Sequence, residues 1–151
     1  MRNKVKKVTL ALIIFLGTVF FSLSYDAGNA AAVVPSYFNG LLGQYYDTRE
    51  PDNISCKRLI RVDSNVEYNW QTGSPDASIE PETFSVVWSG YIEVPATGSY
   101  DFFTYSDDGV QLTIGSGPPL INRWGLVNLE FTQSDRALYL EQGTKYPFML
   151  K

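Results

Sequence analysis

The chain has no histidine. A Ser-His-Asp or Cys-His nucleophile is therefore excluded within it, and so are zinc sites of the common His and Cys kind. Cys56 is the only cysteine, so no disulfide can close inside the chain. With no imidazole to activate it, that thiol reads as a small buried hydrophobe. Helical periodicity is missing as well: nothing between residues 33 and 151 repeats apolar side chains every three to four positions. There is no internal repeat and no low-complexity tract. The run Gly-Ser-Gly-Pro-Pro at 115–119 has glycines but no lysine and opens no helix, so it is not a phosphate loop.

What the chain does have begins at its start. MRNKVKK carries Arg2, Lys4, Lys6 and Lys7, and an uncharged, mostly apolar run follows at 8–24. Small residues, AGNAAA, come next at 27–32. This order is that of a secretory signal peptide, with the cut expected after Ala30 or Ala32. A retained membrane anchor is the rival reading, since the apolar run is near the lower limit for a span. The expected organisation is a leader at 1–32, a lead-in at 33–39 and one domain at 40–151.

Export changes the charge. The chain holds 12 basic and 16 acidic residues; residues 1–32 take four basic and one acidic, leaving a net charge of −7 on the rest. A nucleic-acid backbone would be repelled, so no nucleic-acid partner is expected.

The remainder reads as strands. GLLGQYY at 40–46 is a first strand with a bulge or a close backbone approach at its glycines. DTREPDN at 47–53 is a loop. Residues 54–70 hold a short strand on either side of Asp63 and Ser64, and 71–82 is a second loop. In TFSVVWSGYIEVP, residues Phe84, Val86, Trp88, Ile92 and Val94 share one parity, as in a long half-buried strand with Trp88 in the core. Tyr100, Phe102 and Thr104 alternate with Asp101, Phe103 and Tyr105. TYSDDGVQLTI at 104–114 then reads as two strands joined by an acidic turn. Turn residues recur every 8 to 12 positions through the second half. Together these features give an all-β, antiparallel sandwich or open barrel. The last strand-like piece, KYPFMLK, is followed by no turn. It is expected either to be a sheet edge or to mark a C-terminally truncated sandwich.

GLLGQYY, the block WSGYIEVPATGSYDFFTYSDDGVQLTIG and the strand ending LINRW resemble the PA14 domain, the module named after anthrax protective antigen. The likeness runs from about Gly40 to Lys151. It implies a β-sandwich and a non-catalytic extracellular module, usually one that binds carbohydrate. In lectin-like members an Asp-Asp pair joined by a cis peptide helps to hold calcium, and the calcium holds sugar hydroxyls. The matching residues are Asp107 and Asp108. Calcium is thus the implied cofactor, a cell-surface or wall glycan the implied partner, and further domains C-terminal to residue 151 are expected.

Physical chemistry leaves two readings of the acidic turn open. Calcium takes six to eight oxygens, and two carboxylates supply at most four of them. Ser-Asp-Asp-Gly is equally an ordinary hairpin tip, in which Gly109 takes a positive φ. Asp47 is a further candidate oxygen donor. Trp124 and Asn122, after the LINRW strand, are candidates to stack on a sugar and to bond its hydroxyls. The expected ligand-binding set is Asp107, Asp108, Gly109, Asn122 and Trp124, with no catalytic residue. A glycosidase would need two carboxylates across a cleft, and nothing in the sequence marks such a pair.

Three function classes follow. The first is a secreted carbohydrate-binding module, with or without calcium. The second is the N-terminal regulatory domain of a toxin-like translocation component. The third is a structural adhesin module. Whatever the class, the exported chain is expected to begin near Ala31 or Val33. N-terminal sequencing of the exported protein checks this, and an intact Met1 in the membrane pellet would show that the segment is kept as an anchor.

Overall fold

The computed structural model describes residues 6–9, 18–20, 37–51, 53–125 and 128–151. The expected cut at 30–32 lies outside the described residues. Among them are fourteen strands: β1 (Lys6–Thr9), β2 (Thr18–Phe20), β3 (Tyr37–Asn39), β4 (Leu41–Tyr46), β5 (Lys57–Asp63), β6 (Glu67–Gln71), β7 (Ser85–Ile92), β8 (Gly98–Tyr100), β9 (Phe103–Ser106), β10 (Val110–Ile114), β11 (Ile121–Arg123), β12 (Glu130–Gln133), β13 (Leu138–Leu140) and β14 (Tyr146–Leu150). The one helical element described is a single 3-10 turn, Ile54–Cys56.

Every strand pair is antiparallel. The main sheet has the order β11-β10-β14-β7-β4-β5 and the second has the order β12-β9-β1-β6. Two short pairs, β13-β8 and β2-β3, complete the set. The all-β antiparallel sandwich expected from the sequence is the observed fold class.

Alternation along each strand explains the layers. On β7 and its continuation, Val86, Trp88, Ile92 and Val94 are buried. Val110, Leu112 and Ile114 of β10 are buried while Gln111 and Thr113 are half-buried. Phe148 and Leu150 of β14 join them in the same core. A period of two sends one set of side chains inward and the other outward, so each strand contributes a single apolar face.

A polar residue sits inside this core. Asp63, 4 % exposed, ends β5. It accepts a hydrogen bond from the Tyr45 hydroxyl. It also accepts one from Trp88 Nε1 at 2.8 Å and one from Arg61 Nε at 2.6 Å. The Arg61 guanidinium lies 4.6 Å from the centre of the Tyr45 ring. Gly43 is the close backbone approach that the sequence suggested: a Cβ there would run into the Asp63 carboxylate and the Tyr45 ring.

From Trp88 a stack of rings crosses to the second sheet. Tyr68 on β6 lies parallel to Trp88 at 5.9 Å and to Trp70 at 4.9 Å, and Phe84 meets Trp70 edge-on at 5.3 Å. Both geometries suit the ring quadrupoles.

Four expectations need correction. Residues 104–114 do not form a hairpin. β9 pairs with β12 and β1, whereas β10 pairs with β11 and β14, so Asp107-Asp108-Gly109 carries the chain from one sheet to the other. The alternating run 100–105 is split, because β8 pairs with β13 and β9 lies in the second sheet. The last strand, β14, is no edge but lies between β10 and β7 in the middle of the main sheet. Both neighbours come from earlier in the chain, which sequence order cannot reveal. Cys56 is half-buried in the 3-10 turn rather than buried.

Trp88→Ala should destabilise by about 3–5 kcal/mol, since it removes a large buried ring and leaves Asp63 short of a donor; denaturant unfolding reads this directly. A second outcome follows from the phenols. Burial first, and then the hydrogen bond to Asp63, push Tyr45 and Tyr68 above their ordinary pKa of 10.0. The folded state therefore holds these protons more tightly than the unfolded chain does. That contribution is complete below pH 10 or so and is lost as the pH rises through the folded values. The unfolding midpoint should fall on the alkaline side of about pH 10, and less steeply in Tyr45→Phe.

Candidate functional site

The passage from β9 to β10 creates a recess where the two sheets meet. Ser106 is buried at the end of β9 and Val110 is buried at the start of β10. Between them the chain turns through Asp107, Asp108 and Gly109, and the peptide between the two aspartates is cis. Both aspartates line a cavity of about 230 Å³. Its floor is the core itself, with Val86, Trp88, Val110 and Leu150. Trp70 and Phe84, the far end of the ring stack, form one wall. Arg49 and Glu50 from the loop after β4 form another, with Trp124, Gly125 and Lys151 at the rim.

Trp124 reaches this rim from the turn after β11, and its indole N–H donates to Glu50 Oε2 at 3.4 Å. Gly125, with φ +90°, adopts a backbone conformation that favours glycine. The role of Gly109 differs from the expected one. Its φ lies outside the left-handed range, and what matters is space: a Cβ would come within 2.8 Å of Gly125 N and 3.0 Å of Arg123 O. Gly109 thus lets the acidic crossover and the Trp124 turn pack backbone to backbone.

The structure brings Asp107, Asp108, Gly109 and Trp124 together around one cavity. Asn122 is not in it; its side chain accepts from Gln111 Nε2 at 3.2 Å on the exposed face. Asp47 is not in it either. It accepts from Glu80 N at 2.9 Å and pairs with Arg58 at 3.7 Å, which fastens one loop to another. Arg49, Glu50, Trp70 and Phe84 were not identified from sequence. The contact between Glu50 and Trp124 spans 74 residues, and no local pattern encodes it. Trp70 closes a strand that alternates only weakly, so its aromatic type was the only available signal.

The chemistry of the recess is an acidic lip over an aromatic wall. Rings can pack against the C–H face of a sugar, and carboxylates can accept from its hydroxyls. Among the described residues, no group of three or more His, Cys, Asp or Glu side chains stands close enough to hold a metal ion. Asp107 and Asp108 alone would offer at most four of the six to eight oxygens that calcium takes. The set fits calcium only as one part of a coordination shell that water, backbone carbonyls and ligand hydroxyls complete.

Comparison with known proteins now adds to the geometry. The family model for the PA14 domain matches residues 38–151. The chain belongs to the PA14 domain family. This PA14 chain is 34 % identical over 113 residues to the anti-sigma-I factor RsgI3 of Acetivibrio thermocellus, and the match covers 75 % of this chain and 17 % of that protein. Among solved structures it is similar to an anti-sigma factor domain-containing protein, with 33 % identity, a TM-score of 0.68, and coverage of 75 % of this chain and 37 % of that one. A second such protein, from Clostridium clariflavum, has 31 % identity, a TM-score of 0.67, and coverage of 83 % and 42 %. The PA14 chain thus spans less than half the length of these relatives.

These relatives correct one expectation. A freely secreted, toxin-like product does not stand, because the similar proteins are named as anti-sigma-factor domain proteins. The module is an extracellular, cell-surface domain of the ligand-sensing or adhesin type. The relatives favour a regulatory setting over a free-standing glycan-binding module, though not the toxin-like translocation component in which that regulatory reading was placed. Family and lack of catalytic motifs are consistent with a non-catalytic role.

Gly109→Ala should cost about 1–3 kcal/mol through overpacking. It should also quench or shift Trp124 fluorescence, because the turn must move away from the crossover. An unchanged emission spectrum and melting curve would show that this contact is loose.

Proposed function

We propose that this PA14 module is the ligand-sensing, extracellular part of a longer anti-sigma-type regulator, and that its ligand is an extracellular glycan. One observation carries the reading: two adjacent aspartates and the rings of Trp70, Phe84, Trp88 and Trp124 converge on a single cavity. Carbohydrate presents both surfaces that such a recess recognises, hydroxyls for the carboxylates and an apolar C–H face for the rings. The similarity to proteins named as anti-sigma factors supports the regulatory setting. In that setting the sigma factor is the partner of the whole regulator, and the glycan is what this module meets.

Asp107 and Asp108 would hold a calcium ion, which would supply a positive centre for vicinal hydroxyls and offset the repulsion between the two carboxylates. The protein's own residues do the rest. Trp70 and Phe84 offer a flat apolar wall. Gly109 keeps the acidic crossover against the Trp124 turn, so that both sides of the recess stay in register. Glu50 holds the Trp124 indole at the rim.

A ligand that binds only the folded state stabilises it by RT ln(1 + [L]/Kd), about 2.7 kcal/mol at a hundredfold excess over Kd. Millimolar calcium should therefore raise the melting temperature and EDTA should reverse the rise. Asp107→Asn combined with Asp108→Asn keeps the shape and removes two charges; its melting curve should not respond to calcium, and its signal on a glycan array should vanish. Identical curves in calcium and EDTA for the unaltered chain would remove calcium from the proposal. A silent array with plant and bacterial wall glycans would remove the sugar.

A further inference from the structure

Ser106 closes β9 and is only 4 % exposed. Along β9, Thr104 and Ser106 are buried while Phe103 and Tyr105 are half-buried, so the two hydroxyl side chains share the inward face. Ser106 lines the cavity together with the apolar floor. From there the chain climbs out of the protein: Ser106 is buried, Asp107 half-buried and Asp108 exposed. Among the described residues the Ser106 hydroxyl makes no hydrogen bond.

The neighbouring hydroxyls behave differently. Ser85 also lines the cavity, but it donates to Thr48 O at 2.7 Å. Ser134 accepts from Phe102 N at 3.1 Å. Thr104 and Thr132 stand opposite each other on β9 and β12; their hydroxyls lack partners, yet they are sealed from solvent and neither lines the cavity. Of these hydroxyls, Ser106 combines deep burial, no partner within the protein and a place on the cavity wall. Holding a hydroxyl out of bulk water without a partner weakens a fold, and an alanine there would not. The fold thus obtains no hydrogen bond from the Ser106 Oγ, while anything that enters the cavity meets it.

We propose that Ser106 is the inner polar contact of the recess and sets its specificity, exchanging a hydrogen bond with the ligand hydroxyl that enters past Asp107 and Asp108. This deepens the glycan reading and rests on it. The chemistry follows from the donor and acceptor inventory. Ionised aspartates only accept, whereas a serine hydroxyl donates once and accepts twice. The lip therefore takes any alcohol that donates, and the inner position takes one that can pair in either sense. A sugar with hydrogen in place of that hydroxyl would displace water from Ser106 and return no bond. A site built around a hydroxyl rejects the analogue that lacks it for this reason.

Titration of the full chain tests the assignment. The unaltered protein is screened on an array of plant and bacterial wall glycans, and a responding oligosaccharide and its monodeoxy forms are then titrated. Ser106→Ala should weaken binding about tenfold, the worth of one good hydrogen bond. The melting temperature of its unliganded form should be unchanged or slightly raised, because no bond inside the protein is lost. Thr104→Val, on the same face but sealed from the cavity, should bind as the unaltered chain does. One monodeoxy form should lose about tenfold against the unaltered chain and nothing further against Ser106→Ala, since the two changes remove the same bond. Full affinity in Ser106→Ala, or a loss that only follows a lowered melting temperature, would overturn the role of Ser106 and leave the glycan reading standing. A silent array would overturn both. A thiol probe needs no sugar. In the Cys56→Ser background, Ser106→Cys should react with a small methanethiosulfonate reagent in native buffer, and Thr104→Cys should not. A thiol at 106 as slow as one at 104 would show that position 106 does not open into the recess, and the assignment would fall.

Discussion

A carboxylate that is almost wholly removed from water has to be supplied with donors, and Asp63 has drawn three kinds of side chain to itself. Tyr45, Trp88 and Arg61 all bond it. Their sequence positions are far apart, so one acidic group ties β4, β5 and β7 to a common point. Losing a donor would leave the buried carboxylate less well paired, which is costly in a low-dielectric interior. The donors are therefore locked in orientation as well as in place. The plane of the Trp88 ring follows from its bond to Asp63, and the planes of Tyr68 and Trp70 follow from Trp88 through stacking.

That chain of constraint leads to the recess. Trp70 and Phe84 are the last rings of the series and also line the cavity together with Asp107 and Asp108. A polar hub at one end of the core thus fixes the shape of a cavity at the other, through rigid flat side chains that lose little conformational freedom on packing. The opposite wall is set differently, by backbone proximity. Gly109 lets the acidic crossover lie against the 123–125 turn with no side chain between them. One wall is held by aromatic stacking and the other by the absence of a Cβ.

Membership of the PA14 family and the similarity to anti-sigma-factor domain proteins are consistent with a module of the ligand-sensing or adhesin type. Sensing asks for a site whose occupancy changes something distant. β6 reaches the recess through Trp70 and, among the described residues, pairs with β1.

Much of this architecture was written locally. Parity along 84–94 assigned Trp88 to the core, and the alternation of Val110, Leu112 and Ile114 defined β10, because a strand's period of two needs no partner to be read. The Asp-Asp-Gly stretch and Trp124 stood out by residue type alone, and they do meet. What the local pattern could not convey was pairing. The stretch 104–114 has the composition of a hairpin, yet its two strands belong to different sheets, since turn residues permit a reversal without choosing the partner of the next strand. The same limit applies to β14, placed between two strands from earlier in the chain, and to Asn122, turned away by its bond to Gln111. It applies most to Glu50 and to the ring stack, whose neighbours are set by long-range packing. The sequence by itself determined which residues face inward, because alternation is a property of one strand. Only the tertiary structure decided which strands and loops share a wall, because hydrogen-bond ladders and close packing are formed between segments that do not know of each other until the core closes.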